Sequence, residues 1–128
     1  MTQLKTFIVA SMAVAVAALA DTAIDEVRSA GASDNVEISN VKGRIEVEGW
    51  DRNEVRVTGN LGKNVERLEF ERDGDDTRIH VQIPRNGWRV GESNLVIRLP
   101  FGNDVRVECV SGSIEAKGIK ADLELETV

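Results

Sequence analysis

This chain repeats itself at long range. Val36, Ile38, Val41, Gly43, Ile45, Glu46 and Gly49 recur as Val105, Val107, Val110, Gly112, Ile114, Glu115 and Gly118, at a constant offset of 69 positions. A shorter third copy follows 18 positions later, where Leu125, Glu126, Thr127 and Val128 take the places of Val107, Glu108, Cys109 and Val110. A unit that alternates apolar with polar residues and is punctuated by glycine cannot bury its apolar side alone; neighbouring copies must lie together to make a shared core. The expected fold class is all-β: short-strand repeats stacking as a β-solenoid or β-roll-like domain, with an inserted β-hairpin.

The local pattern agrees. Val36 and Ile38, Ile45 and Val47, and Val55 and Val57 alternate with Glu37, Arg44, Glu46, Glu48, Glu54 and Arg56, which puts one set inward and the other in solvent along a strand. Lys42-Gly43 and residues 49–53 supply the turns. The hairpin lies in residues 65–84. With Gly74-Asp75 as a two-residue loop, paired positions sum to 149, setting Phe70 opposite Ile79, Leu68 opposite Val81, Glu71 opposite Arg78 and Glu69 opposite His80. One register then satisfies an apolar face and a charge-complementary face together. Pro84 ends the hairpin, residues 85–94 form a loop, and Leu95, Ile97 and Leu99 resume the alternation. After residue 20 no window of eleven or more residues carries an amphipathic 3.6 period.

The first twenty residues have the form of a secretory signal: Lys5, an apolar run over residues 7–19, and Ala18-Leu19-Ala20 before Asp21. The run is shorter than the roughly 20 residues that span a bilayer. Cleavage after Ala20 leaves a periplasmic or secreted chain with no stable membrane span, in which residues 21–34 are a lead-in and residues 35–128 a single domain. Cleavage removes one base and no acid, so the formal charge moves from −6 to −7. That argues against nucleic acid, because phosphate binding draws on clustered bases, whereas the arginines here are interleaved with Asp and Glu. The single cysteine, Cys109, excludes an intrachain disulfide. The acidic turn at residues 73–76 lacks the spacing of a calcium loop and is explained by turn chemistry, so no metal or cofactor is expected.

Over residues 35–128, the stretches VEISNVKGRIEVEGWDRNEVRVTG, LVIRLP and VRVECVSGSIEAKGIKADLELETV together resemble the putative-adhesin domain family of bacterial envelope proteins. The most specific parts are Gly43-Arg44-Ile45 followed by Gly49-Trp50-Asp51, and residues 110–114. The resemblance implies a solenoid-like stack in which a Ser-Gly unit recurs, and a non-enzymatic role as a scaffold or adhesion surface. Here the sequence reaches Val128 where the next Ser-Gly falls due, so a shortened C-terminal edge is expected.

Two candidate contact sites follow. Trp88 and Arg89 sit in the longest loop and are the candidate recognition residues, since an exposed aromatic beside an arginine can anchor a partner; the alternative, which the pattern favours, is that Trp88 packs back over a sheet edge. Leu123, Leu125 and Val128 lie on the terminal strand, whose unpaired backbone invites strand addition by another copy, giving self-association, or by an envelope partner. His80, the only histidine, is expected on the charged face opposite Glu69 as a surface ladder residue, and Cys109 as a buried, inert thiol. No catalytic residue is assigned. The alternative reading, a polysaccharide-processing β-helix enzyme, uses Glu46 with Glu48, or Glu115 with a stacked neighbour, as its carboxylate pair; a net acidic face opposes it. Intact-mass measurement of the protein recovered from a bacterial periplasm checks the N-terminus, which is expected to be Asp21.

Overall fold

The computed structural model describes residues 22–86 and 89–128; the segment read as a signal peptide and Trp88 lie outside them. The described residues form eight strands and no helix: β1 (Thr22–Ser29), β2 (Asn35–Trp50), β3 (Glu54–Leu61), β4 (Arg67–Asp73), β5 (Asp76–Gln82), β6 (Ser93–Pro100), β7 (Asp104–Lys117) and β8 (Leu123–Thr127). They make one sheet in the order β1-β3-β6-β2-β5-β4, with β7 on the other side of β2 and β8 beyond β7.

The long strands β2 and β7 organise this sheet. They run parallel with Val36 beside Val105, Ile38 beside Val107, Gly43 beside Gly112 and Ile45 beside Ile114, so the 69-residue offset of the sequence is the pairing register. β8 pairs with β7 in parallel at the 18-residue offset, with Leu123 beside Val105 and Leu125 beside Val107. On its other edge β2 has two partners. Its first half pairs with β5, with Asn35 beside Asp76, and its second half pairs with β6, with Gly43 beside Ser93.

Both long strands turn a corner midway. In β2 the buried positions are Val36, Ile38 and Asn40 before the corner, then Ile45 and Val47 after it, so the inward parity changes from even to odd. β7 changes parity at the equivalent place, from Val105, Val107 and Cys109 to the partly buried Ile114 and Ala116. The corner is made of backbone. Gly43 has φ 127° and Gly112 has φ 149°, conformations that residues with a Cβ avoid. A Cβ on Gly112 would strike the carbonyl oxygen of Gly43, and one on Gly43 would strike that of Ser93. The two wings of the bent sheet enclose one core, in which Val36, Ile38, Phe70, Ile79 and Val107 meet Ile45, Val57, Leu95, Ile97 and Leu99.

The hairpin of β4 and β5 has the register expected, from Arg67 beside Gln82 to Asp73 beside Asp76. Two expectations change. The lead-in contains a strand: β1 pairs antiparallel with β3 along its whole length, from Thr22 beside Leu61 to Ser29 beside Glu54. Ile24 packs against the core, and Arg56 holds Asp25 through two hydrogen bonds of 3.0 and 2.8 Å. The hairpin is also more than an insertion. β5 and β6 together lie against β2 as one further bent unit, at an offset of 41 positions before the corner and 50 after it. The difference of nine residues is the loop carrying Arg89. The units are not laid down in chain order, because β2 sits between β5/β6 and the later β7. A simple solenoid would place each coil beside the one before it.

One side of the sheet finishes in antiparallel strands. β4 runs antiparallel to β5, and β3 runs antiparallel to β6 with β1 outside it. The outer strands of the two wings approach each other, with the Arg28 guanidinium 4.7 Å from the Phe70 ring centre. On the opposite side β8 covers only the first half of β7. Gly43→Ala is expected to lower the unfolding free energy by about 3 kcal/mol or more, combining left-handed backbone strain with a backbone clash. Gly74→Ala, whose Cβ would meet nothing within 4 Å, is expected to cost about 1 kcal/mol; urea unfolding followed by circular dichroism separates the two.

Candidate functional site

The most unusual surface is the open end. On the inner side of the β5-β2-β7-β8 wing, two rows run across the strands: Thr77, Val36, Val105 and Leu123, and Ile79, Ile38, Val107 and Leu125. All are buried until the last strand, where Leu123 is 42% and Leu125 45% exposed. Val110 and Val128, at the same end, are 49% and 92% exposed. The apolar rows therefore run on past the edge of the core. Leu123, Leu125 and Val128 come together here with an edge that no described strand pairs. The second half of β7 is likewise unpaired on this side, and Ser111, Gly112 and Ser113 are exposed.

The outer face of the same wing is charged. Across it lies an open groove of about 820 Å³ at the N-terminal ends of the strands, lined by Glu37, Glu71, Asp73, Asp76, Asp104, Asp122 and Glu124 together with Arg78 and Arg106. Its acids serve the backbone turns and one another's neighbours: Asn35 Nδ2 donates to Asp76 Oδ1 at 3.1 Å, and the Asp122 amide donates to Asp104 Oδ1 at 3.1 Å. Among the described residues no three acidic, histidine or cysteine side chains converge as metal ligands.

The loop site is only partly placed. Arg89 is exposed, in a left-handed conformation at φ 55°. Its carbonyl accepts a 2.9 Å hydrogen bond from Asn64 Nδ2, and the Gly91 amide donates to the Lys63 carbonyl at 2.8 Å. These bonds fasten the loop to the β3–β4 connection. Trp50 packs differently, half-buried, with Nε1 donating to the Glu54 carbonyl at 2.8 Å and Arg52 5.1 Å from its ring centre.

One arrangement was not visible from composition. Ser39, His80 and Glu69 are neighbours across β2, β5 and β4, the residue types of a nucleophile, base and orienting acid. No hydrogen bond joins them; Glu69 instead accepts one from Arg67 Nη2 at 2.9 Å. Nucleophilic catalysis needs those contacts and donors for an oxyanion, so the row reads as a polar ladder on a solvated sheet. The carboxylates considered for glycan chemistry are engaged with bases: Glu48 with Arg98 at 3.1 Å and Lys117 at 3.7 Å, and Glu46 and Glu115 with Arg44 at 3.8 and 3.3 Å. All lie on the exposed or half-exposed outer face, with no enclosure to exclude water.

Cys109 is fully buried at the corner, with Sγ 3.7 Å from the Gly43 carbonyl. Burial pushes its thiol above the usual range, against a smaller opposing effect of a backbone hydrogen bond from Ser111. A thiol raised on folding stabilises the native state below the unfolded thiol pKa, and that contribution is lost as pH rises through the folded value. Native protein is expected to resist a thiol reagent at pH 8 and react at once in denaturant. Its unfolding free energy should decline above about pH 8.5, a decline absent from Cys109→Val; denaturation midpoints between pH 7 and 10 check both statements.

No family model matches the chain, and no curated protein matches it. Among solved structures it is similar to one described as a putative cell adhesion protein from Clostridium sporogenes, with 13% sequence identity and a TM-score of 0.50. The similarity covers 83% of this chain and 57% of that one, so the chain spans a little over half the length of that neighbour. At this identity the likeness is one of fold.

Proposed function

We propose that this chain is a non-enzymatic domain of the bacterial cell envelope, periplasmic or secreted, that works as a scaffold or adhesion surface by accepting a further strand at its open end. The observation that carries the reading is the contrast between the two sides of one sheet. One side of the sheet finishes in antiparallel strands, while on the other the apolar rows reach solvent at Leu123 and Leu125 on β8, whose outer edge no described strand pairs. Unpaired backbone beside exposed apolar side chains is the chemistry of β-strand addition. The resemblance to the putative-adhesin domains of envelope proteins supports this reading, as does a fold similar to that of a protein described as a putative cell adhesion protein. In this reading the parallel units form a short solenoid-like stack that a partner lengthens. The fastened loop carrying Trp88 and Arg89 is an additional contact surface.

The occupant of the edge is another copy of the chain or an envelope partner. Self-association is the simplest form to test. Light scattering after size exclusion, from about 10 to 500 µM, is expected to show mass rising with concentration. The rise should be steeper at high salt, because Glu124 and Glu126 of the two copies are then screened from each other. Leu125→Lys, which puts a charge into the inward row, is expected to abolish it. A native chain that stays monomeric at every salt concentration removes self-assembly from the proposal.

A further inference from the structure

The charges beside the open edge are ordered, and their order selects an occupant. On the outer face of the wing one row crosses five strands: Glu71, Arg78, Glu37, Arg106 and Glu124. The sign alternates at every step. Arg78 Nε lies 3.7 Å from Glu37 Oε1, and Arg106 Nη2 lies 3.9 Å from both Glu108 Oε2 and Glu126 Oε1. The alternation stops at β8 on an acid. Glu124 forms no ion pair with a described residue, and Glu126 shares Arg106 with Glu108, so β8 presents two acids on its outer side that alternate with the inward Leu123 and Leu125.

We infer that the free edge of β8 is a docking site for an extended segment in which Lys or Arg alternates with apolar residues. Backbone pairing to β8 then sets the bases beside Glu124 and Glu126 and the apolar residues over Leu123 and Leu125, continuing both faces of the sheet by one strand. This rests on the strand-addition reading above and names its partner's chemistry. Among the described residues neither β8 nor the β4 edge supplies that complement. A second β8 brings glutamate against glutamate, and the outward side of the free β4 edge is net acidic, carrying Glu69, Glu71 and Asp73 with one base, Arg67, that is already bonded to Glu69. Cross-strand like charges oppose pairing, and opposite charges favour it. A basic strand from a different protein is therefore the better fit.

The test uses the full chain and three fluorescent nine-residue peptides: alternating Val and Lys, alternating Val and Glu, and a scramble of the first that breaks the alternation. Anisotropy is expected to show the alternating basic peptide binding about tenfold or more tighter than either other peptide, with affinity falling as salt rises. Amide exchange should slow within residues 123–127. The double variant Glu124→Lys with Glu126→Lys is expected to reverse the preference toward the acidic peptide, and that gain of binding also shows the variant to be folded. Equal binding of the basic peptide and its scramble overturns the inference, since it shows attraction to net charge without strand geometry. An unchanged preference in the double variant overturns it as well. If no peptide binds while the native chain still associates through β8 in a manner removed by Leu125→Lys, the basic partner is wrong and the strand-addition reading stands. If neither occurs, both fall.

Discussion

Ser93, Gly43 and Gly112 meet at one corner with no room between them for a side chain. The approach of the Gly43 backbone to the Ser93 carbonyl, and of Gly112 to Gly43, lets three adjacent strand units bend at the same level. Because they bend together, the switch of inward parity occurs in register, and residues on both sides of the bend point into one core. A side chain at this corner would do more than add volume. It would separate the neighbouring backbones, and with them the ladders that hold β2 to β6 and to β7. Around this row the remaining polar groups are mostly used: Asn40 Nδ2 donates to the Ser93 carbonyl at 3.1 Å, and Ser93 Oγ accepts from the Gly62 amide at 2.9 Å.

A second constraint acts at the turn into the long strands. Asp34 is nearly buried, and its carboxylate accepts hydrogen bonds from the Gly31 amide at 2.7 Å and from Arg72 Nη2 at 3.1 Å. Its own amide donates to Asn103 Oδ1, and its carbonyl accepts from the Asp104 amide. Asp34 and Asn103 stand at the same place in the two repeats. Asp34 thus ties β4 to the start of β2 through an ion pair and to the start of β7 through neutral hydrogen bonds. Arg72 is about a third exposed, but removing it would leave the nearly buried Asp34 carboxylate without its charged partner, which is costly for a buried charge.

The strand pairing was legible wherever the sequence repeats or alternates cleanly. The offset of 69 between Val36 and Val105, the offset of 18 between Val107 and Leu125, and the hairpin register that opposes Phe70 to Ile79 all reappear as backbone pairing. The unit made by β5 and β6 was hidden for two reasons. Nine extra residues at its corner break the constant offset, and Thr77 and Ser93 stand where its neighbours have Val36 and Gly43. β1 was hidden because its inward side alternates Ile24 with Glu26 and Arg28; its pairing with β3 comes from tertiary context. Leu123 and Leu125 could be placed at an edge from the repeat alone. The alternating charges could not, since that row takes one residue from each of five strands and exists only once their registers are known.

The topology also fixes when the domain can form. β2 is made early, but its partners lie 41, 50 and 69 positions further along the chain. Closing loops of that length is entropically unfavourable before any pairing returns the cost, and nonlocal parallel pairing folds slowly. Until β7 is available, β2 is a long alternating strand with a bare edge, open to pairing with the wrong chain. The delay between the first long strand and its last neighbour is therefore the interval in which this protein is most exposed to aggregation.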